Sequence, residues 1–202
     1  MVLVNRLVDA AAASVASDDA AGMRAAVAHL VALGHTAIAH VTGPAALSMT
    51  QVRRTAFDEA MRVAGLTTDP ELVVTAERYA VDEGDHAFTR LLERRTPTAV
   101  IAGNDMIAIG CYAALRRRGA RCPADVSVIG FNDMPLSGFL DPPLTTVAIP
   151  QYDIGAAAAE LILGRIADGG VEPVHRLLLT ELVTRGSTAA PSWSMANWRS
   201  AP

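Results

Sequence analysis

Lysine is missing from the whole 202-residue chain; all 17 basic side chains are arginine. That excludes a P-loop, whose phosphate cradle ends on a lysine. Gly-x-Ser-x-Gly is absent, so there is no nucleophile elbow, and Gly-x-Gly-x-x-Gly is absent, so there is no dinucleotide fingerprint. The five histidines (His29, His35, His40, His86 and His175) stand at no metal-ligand spacing and read as core or surface residues, with His35 bonding local backbone. Cysteine is scarce too. Cys111 and Cys122 match no metal spacing and agree with a reducing compartment. No metal, cofactor or enzymatic chemistry is expected.

Long apolar runs are lacking, so nothing spans a bilayer. Met1-Val2-Leu3-Val4 is too short for a secretory core and has no charged lead or cleavage site. A cytoplasmic protein without a membrane partner is expected. Positive charge is in short supply: the net charge is −4, which argues against a nucleic-acid surface on this chain. Arg116-Arg117-Arg118 reads as cations complementing a helix C-terminus before Gly119.

What the chain does have is alternation. With 51% hydrophobic residues there is ample material for a core, in one domain or two small lobes. Leu3-Val4 reads as a strand fragment. Ser17-Asp18-Asp19 offers N-cap oxygens to a helix ending at Gly34, and Ala37–Val41 is a strand. Helix 50–64, strand 72–74, helix 81–94, strand 98–103, helix 105–118 capped by Asp105, and strand 126–131 follow. After an irregular loop over 134–143 come an extended 145–149, a helix over 152–167 stopped by Gly169-Gly170, and one strand over 176–184. The residues after Ser187 show no periodicity and are expected to be mobile. Strand–helix repetition of this kind implies right-handed βαβ units and a parallel, doubly wound α/β sheet.

Two of these strands end on an Asn-Asp pair, Asn104-Asp105 and Asn132-Asp133. In an open parallel sheet ligands bind beyond the carboxyl ends of the strands. A carboxamide both donates and accepts, so these pairs suit a ligand covered in hydroxyls. Asp105 is accounted for as a helix cap, which leaves Asn104 facing a ligand. Arg53 lies just inside a helix on the same sheet edge and is either a site residue or a surface arginine like Arg54. Tyr79, in a strand-to-helix loop, can stack on a sugar or base or simply cover the core. The constellation is a binding site.

Read in order, Leu30-Val31-Ala32-Leu33-Gly34-His35, Ile38–Pro44, Arg53-x-x-x-Phe57, Pro97-Thr98-Ala99-Val100 with Asn104-Asp105, Pro123-x-Asp125–Asp133, Pro142–Val147 and Leu182-Val183-x-Arg185-x-Ser187-Thr188 resemble the LacI/GalR family of bacterial transcriptional regulators. The resemblance implies a periplasmic-binding-protein-like type I sensor that closes on a small effector and changes operator affinity. It implies a complete second lobe over 17–145 with a return over 172–188, and a partial first lobe made of a remnant at 1–16 and a hinge segment at 146–171. Residues 189–202 would be a mobile tail, and the family's helix-turn-helix is not in this chain.

By resemblance, Arg53 clamps the effector, Tyr79 forms an aromatic wall and Asn104 donates a hydrogen bond. Asn132 stands where an aspartate is usual, and Asn5 and Gln151 match first-lobe and hinge pocket positions. The effector would be a sugar or a nucleoside- or purine-like metabolite. The alternative is a solute-binding protein of a sugar transporter, which differs by export. A homodimer is expected through Ile109 and Leu140. The helix 105–118 also carries Ile107, Ile109, Cys111, Ala114 and Leu115, more apolar faces than one sheet contact buries. Operator DNA would be contacted only by a domain absent from this chain.

Overall fold

A computed structural model describes residues 1–6, 12–167 and 173–192. Its strands are β1 (Val2–Val4), β2 (Ala13–Ser17), β3 (Ile38–Thr42), β4 (Val73–Thr75), β5 (Ala99–Ala102), β6 (Ser127–Asn132), β7 (Thr145–Ala148), β8 (His175–Leu178) and β9 (Glu181–Val183). Its helices are α1 (Asp19–Ala32), α2 (Ser48–Val63), α3 (Val81–Leu92), α4 (Asp105–Arg117) and α5 (Gln151–Ala167). The strands form a six-stranded sheet of order β4-β3-β5-β6-β7-β9 and a three-stranded sheet of order β1-β2-β8. All pairings are parallel except β7 with β9.

The large sheet is wound on both faces because successive side chains of a strand point to opposite sides. Ile38, Ala99, Ile101, Ile129, Phe131 and Val147 pack with Met23, Val27 and Leu30 of α1 and Phe57 and Met61 of α2. Their neighbours Ala39, Val41, Val100, Ala102 and Val128 pack with Phe88 and Leu91 of α3 and Ile107, Cys111 and Leu115 of α4. His40 takes the α2 side of β3, its ring centroid 4.9 Å from that of Phe57 and tilted 32° to it. Burial pushes its pKa down to about 4, so it sits in the core as a neutral ring. The small sheet has a separate core of Val15, Ile154, Ala157 and Ala158 under α5.

Several expectations need correction. The one strand expected over 176–184 is two: β8 pairs with β2 in the small sheet and β9 with β7 in the large one. The chain therefore passes between sheets at Leu179-Thr180, and β8 does not belong with the large sheet as a return over 172–188 required. Strand β2, five buried residues, lies in a segment for which the sequence predicts no element. Residues 189–192, where the sequence predicts the start of a mobile tail, are tied down. Ala189 bonds Ser127 and His35, and the Ser192 hydroxyl donates to the Ala124 carbonyl. The His35 amide does bond local backbone, the Leu30 carbonyl, but its ring reaches Thr98 and Ala189 instead. The Gly169-Gly170 stop, residues 193–202 and residues 7–11 of the remnant lie outside the described residues.

Helices α3 and α4 approach closely because Gly84 faces Gly110. A Cβ on Gly84 would stand 2.5 Å from the Ile107 carbonyl oxygen, and one on Gly110 would strike the Val81 carbonyl and the Asp85 amide. Of the apolar residues counted on α4, Ile107, Cys111, Ala114 and Leu115 are therefore buried within the chain, and only Ile109 stays half-buried. Backbone cannot yield as a side chain can. Gly110→Ala is expected to lower unfolding free energy by about 3 kcal/mol, the upper end for overpacking, in urea denaturation. A loss below about 0.5 kcal/mol would show that the helices separate freely.

Candidate functional site

Arg53 organises the edge of the large sheet. It is 3% exposed and projects from α2, and its Nε donates to Asp19 Oδ2 at 2.7 Å. Its Nη1 donates to the Gly103 carbonyl, at the end of β5, at 2.6 Å. The guanidinium lies 3.8 Å over the ring of Phe131 on β6. Asp19 is itself buried in the first turn of α1, where the helix dipole favours a carboxylate, and accepts a further bond from the Ser17 hydroxyl. Asp18, one residue earlier, is the N-cap and accepts from the Ala21 amide. The arginine, carried by α2, is locked in place by three further elements: α1, β5 and β6.

At the end of β5 the pair Asn104-Asp105 works the opposite way round from expectation. Asn104 is the cap of α4, its Oδ1 accepting from the Ile107 amide at 2.9 Å. Asp105 is not the cap. Its carboxylate accepts from the Thr146 hydroxyl at 2.6 Å, the Met134 amide at 2.7 Å and the Ser137 hydroxyl at 3.0 Å. Gly130 leaves room for that carboxylate; a Cβ there would overlap its Oδ1. Burial pushes the Asp105 carboxyl up, while the three hydrogen bonds pull it down. Asp133 is likewise occupied, paired with Arg185 at 2.7 Å.

Among the described residues, three other than glycine have positive φ: Asn5 (49°), Asn132 (112°) and Asp133 (53°). Asn and Asp tolerate this region best, and such strained positions gather at functional sites. Asn132 in this light answers a backbone demand as well as any ligand. The Tyr79 ring covers Gly43, where any Cβ would overlap it, and its hydroxyl is 2.9 Å from the Thr50 hydroxyl.

The ends of β1, β3, β5, β6 and β7 meet the starts of α2, α4 and α5 at a cavity of about 540 Å³ lying between the two sheets. All six residues singled out for ligand contact line it: Arg53, Tyr79, Asn104, Asn132, Asn5 and Gln151. Arg6, Ser48, Met49, Ile149 and Ile154 join them, and Asn5 Oδ1 is buried without a hydrogen-bond partner. Sequence reasoning missed Asp19, whose only visible signal was a second acidic residue beside a helix cap. It also missed the start of α2 at Ser48. Ile109 and Leu140 share a second depression, of about 810 Å³, with Tyr112 and Arg121. Among the described residues no three His, Cys, Asp or Glu side chains cluster as metal ligands, and no helix is long and apolar enough to cross a membrane.

A doubly wound sheet, a smaller second sheet and a cavity between them define the periplasmic-binding-protein-like class. The model of that domain, described as periplasmic binding protein-like, matches residues 27–188. The chain belongs to the LacI/GalR family of transcriptional regulators. It is 40% identical over 183 residues to the HTH-type transcriptional regulator MalR of Streptomyces coelicolor, covering 87% of this chain and 52% of MalR. To the HTH-type transcriptional repressor CytR of Escherichia coli it is 36% identical over 166 residues, 82% of this chain and 48% of CytR. It superimposes on the structure of a transcriptional regulator CelR–cellobiose complex with a TM-score of 0.88 at 32% identity, covering 92% of this chain and 58% of that one. The chain spans about half the length of the curated relatives it matches. These proteins are named as regulators, which favours a regulator over a transport protein.

The buried pair makes a measurable claim. Asp19→Ala strands the Arg53 charge, and is expected to cost about 3–5 kcal/mol, as breaking a buried ion pair does. Asp19→Ala with Arg53→Met should cost clearly less than the sum of the single changes in a double-mutant cycle. Additive losses would mean that the two side chains do not depend on each other.

Proposed function

We propose that this chain is the effector-sensing part of a cytoplasmic transcriptional regulator, and that it binds a small hydroxyl-rich metabolite in the cavity between its sheets. The observation that carries this reading is the convergence of Arg53, Asn104, Asn132, Asn5, Gln151 and Tyr79, drawn from both sheets' edges, on one cavity. A ligand held by both walls couples their relative position to its presence, since a ligand shifts a conformational equilibrium by its differential affinity. The output is a change in operator affinity of the protein that carries this domain. A sugar is the leading class, supported by the cellobiose in the CelR structure. The arrangement is that of a binder, and its role is not enzymatic.

Thermal-shift and calorimetric screening of mono- and disaccharides, nucleosides and their derivatives tests this. Binding is expected to fall by about 2 kcal/mol or more when Arg53→Ala is placed in an Asp19→Ala background, because the guanidinium offers charge-assisted bonds. Equal affinity in both proteins would move the site away from this cavity.

The second proposal is a homodimer through the groove holding Ile109 and Leu140. Supporting it, Ile109 is the half-buried member of the α4 stripe, and the adjoining loop leaves Phe139 87% and Leu136 58% exposed. Twofold self-association is the commonest way to cover such a face. Light scattering is expected to give a discrete dimer that becomes a folded monomer in Ile109→Asp with Leu140→Asp. A wild-type monomer, or a dimer indifferent to both changes, refutes the interface.

A further inference from the structure

We infer that the effector is anionic: a hydroxylated metabolite bearing a phosphate ester or a carboxylate, seated against Arg53, Asn104 and the first turn of α2. This rests on reading the cavity as the effector site. The charged side chains lining it are Arg6 and Arg53, and among the described residues no Asp or Glu lines it. The nearby carboxylates are turned to other work: Asp19 on Arg53, Asp133 on Arg185, and Asp105 on Thr146, Met134 and Ser137.

Beside the unpartnered acceptor Asn5 Oδ1, donors are left over. Two Arg53 nitrogens are spent on Asp19 and Gly103, which leaves Nη2 without a partner among the described residues at the wall of the cavity. Asn104, 7% exposed, commits its oxygen to capping α4, so its amide NH₂ is the part still to be satisfied. The 16-residue α2 opens at the same wall with Leu47 in the cap position, no side chain capping it and no acid in its first turn. Its uncompensated amide dipoles add partial positive charge there.

A neutral sugar hydroxyl donates a proton as well as accepting one, and its strongest partner is a carboxylate. Among the described residues this wall supplies none. A phosphate or carboxylate only accepts, and so matches a surplus of N–H donors around a fixed guanidinium. The hydroxyls of the same ligand fall to the carboxamides of Asn5, Asn132 and Gln151, which both donate and accept.

The test uses matched pairs on the full chain by calorimetry: glucose against glucose 6-phosphate and glucuronate, ribose against ribose 5-phosphate, and cellobiose as a neutral disaccharide. Inorganic phosphate serves as a competitor at fixed ionic strength. A charged member is expected to bind at least about tenfold tighter than its neutral parent, with inorganic phosphate competing. The advantage should collapse in Arg53→Gln with Asp19→Asn, a pair of uncharged polar replacements that avoids stranding either charge. Neutral parents that bind as well as or better than their charged forms overturn the inference and leave the effector reading standing. Failure of every charged compound overturns it too, and if the neutral ones also fail, the effector reading falls with it. The wild-type comparison decides the matter even if the double variant does not fold.

Discussion

The buried pair of Asp19 and Arg53 is the interaction on which the site depends. A guanidinium this deep is tolerable only if its charge is met and its nitrogens are used. Asp19, the Gly103 carbonyl and the Phe131 ring meet those needs from α1, β5 and β6, while the arginine itself comes from α2. One side chain thereby fixes the mutual position of four elements around the cavity. What the pair leaves over, a single Nη2 at the cavity wall, is held in a defined place. Preorganisation of this kind lowers the entropic cost of binding.

A second buried carboxylate does for the loop what Asp19 does for the helices. Asp105 gathers Thr146 of β7 with Met134 and Ser137, so the segment between β6 and β7 folds over the start of α4. The approach depends on Gly130, and the neighbouring close contact of α3 with α4 depends on Gly84 and Gly110. At each of these places a missing side chain lets a charged group or a helix backbone approach closely. The consequence reaches the surface: because α4 is buried on most sides, its free apolar area shrinks to the groove with Ile109 and Leu140.

Legibility in the sequence varied with the range of the interaction. The βαβ alternation, and the placing of Arg53, Asn104 and Asn132 on one sheet edge, followed from periodicity and position alone. Asn5 and Gln151 were reached only through family resemblance, since nothing local distinguishes them. Strand β2 escaped because Ala-Ser-Val-Ala-Ser lacks the bulky β-branched and aromatic residues that signal a strand; it is extended because it is buried between β1 and β8. The split of 176–184 into β8 and β9 escaped for a related reason, as its apolar residues run on without a glycine or proline to mark a crossing.

The sequence by itself determined the class: strand and helix order, a parallel doubly wound sheet, a polar cluster beyond the strand ends, and an absence of nucleophile and cofactor motifs. Those are properties of local pattern, which tertiary structure inherits. Only the tertiary structure decided which polar groups are free. The sequence cannot say that Asn104 rather than Asp105 caps α4, that Asp19 reaches Arg53 34 residues away, or that Asp133 is taken by Arg185. Each of these is a long-range pairing or a choice of one residue in geometry. Burial forces every charge to find its partner, and the character of the cavity is set by the groups that remain.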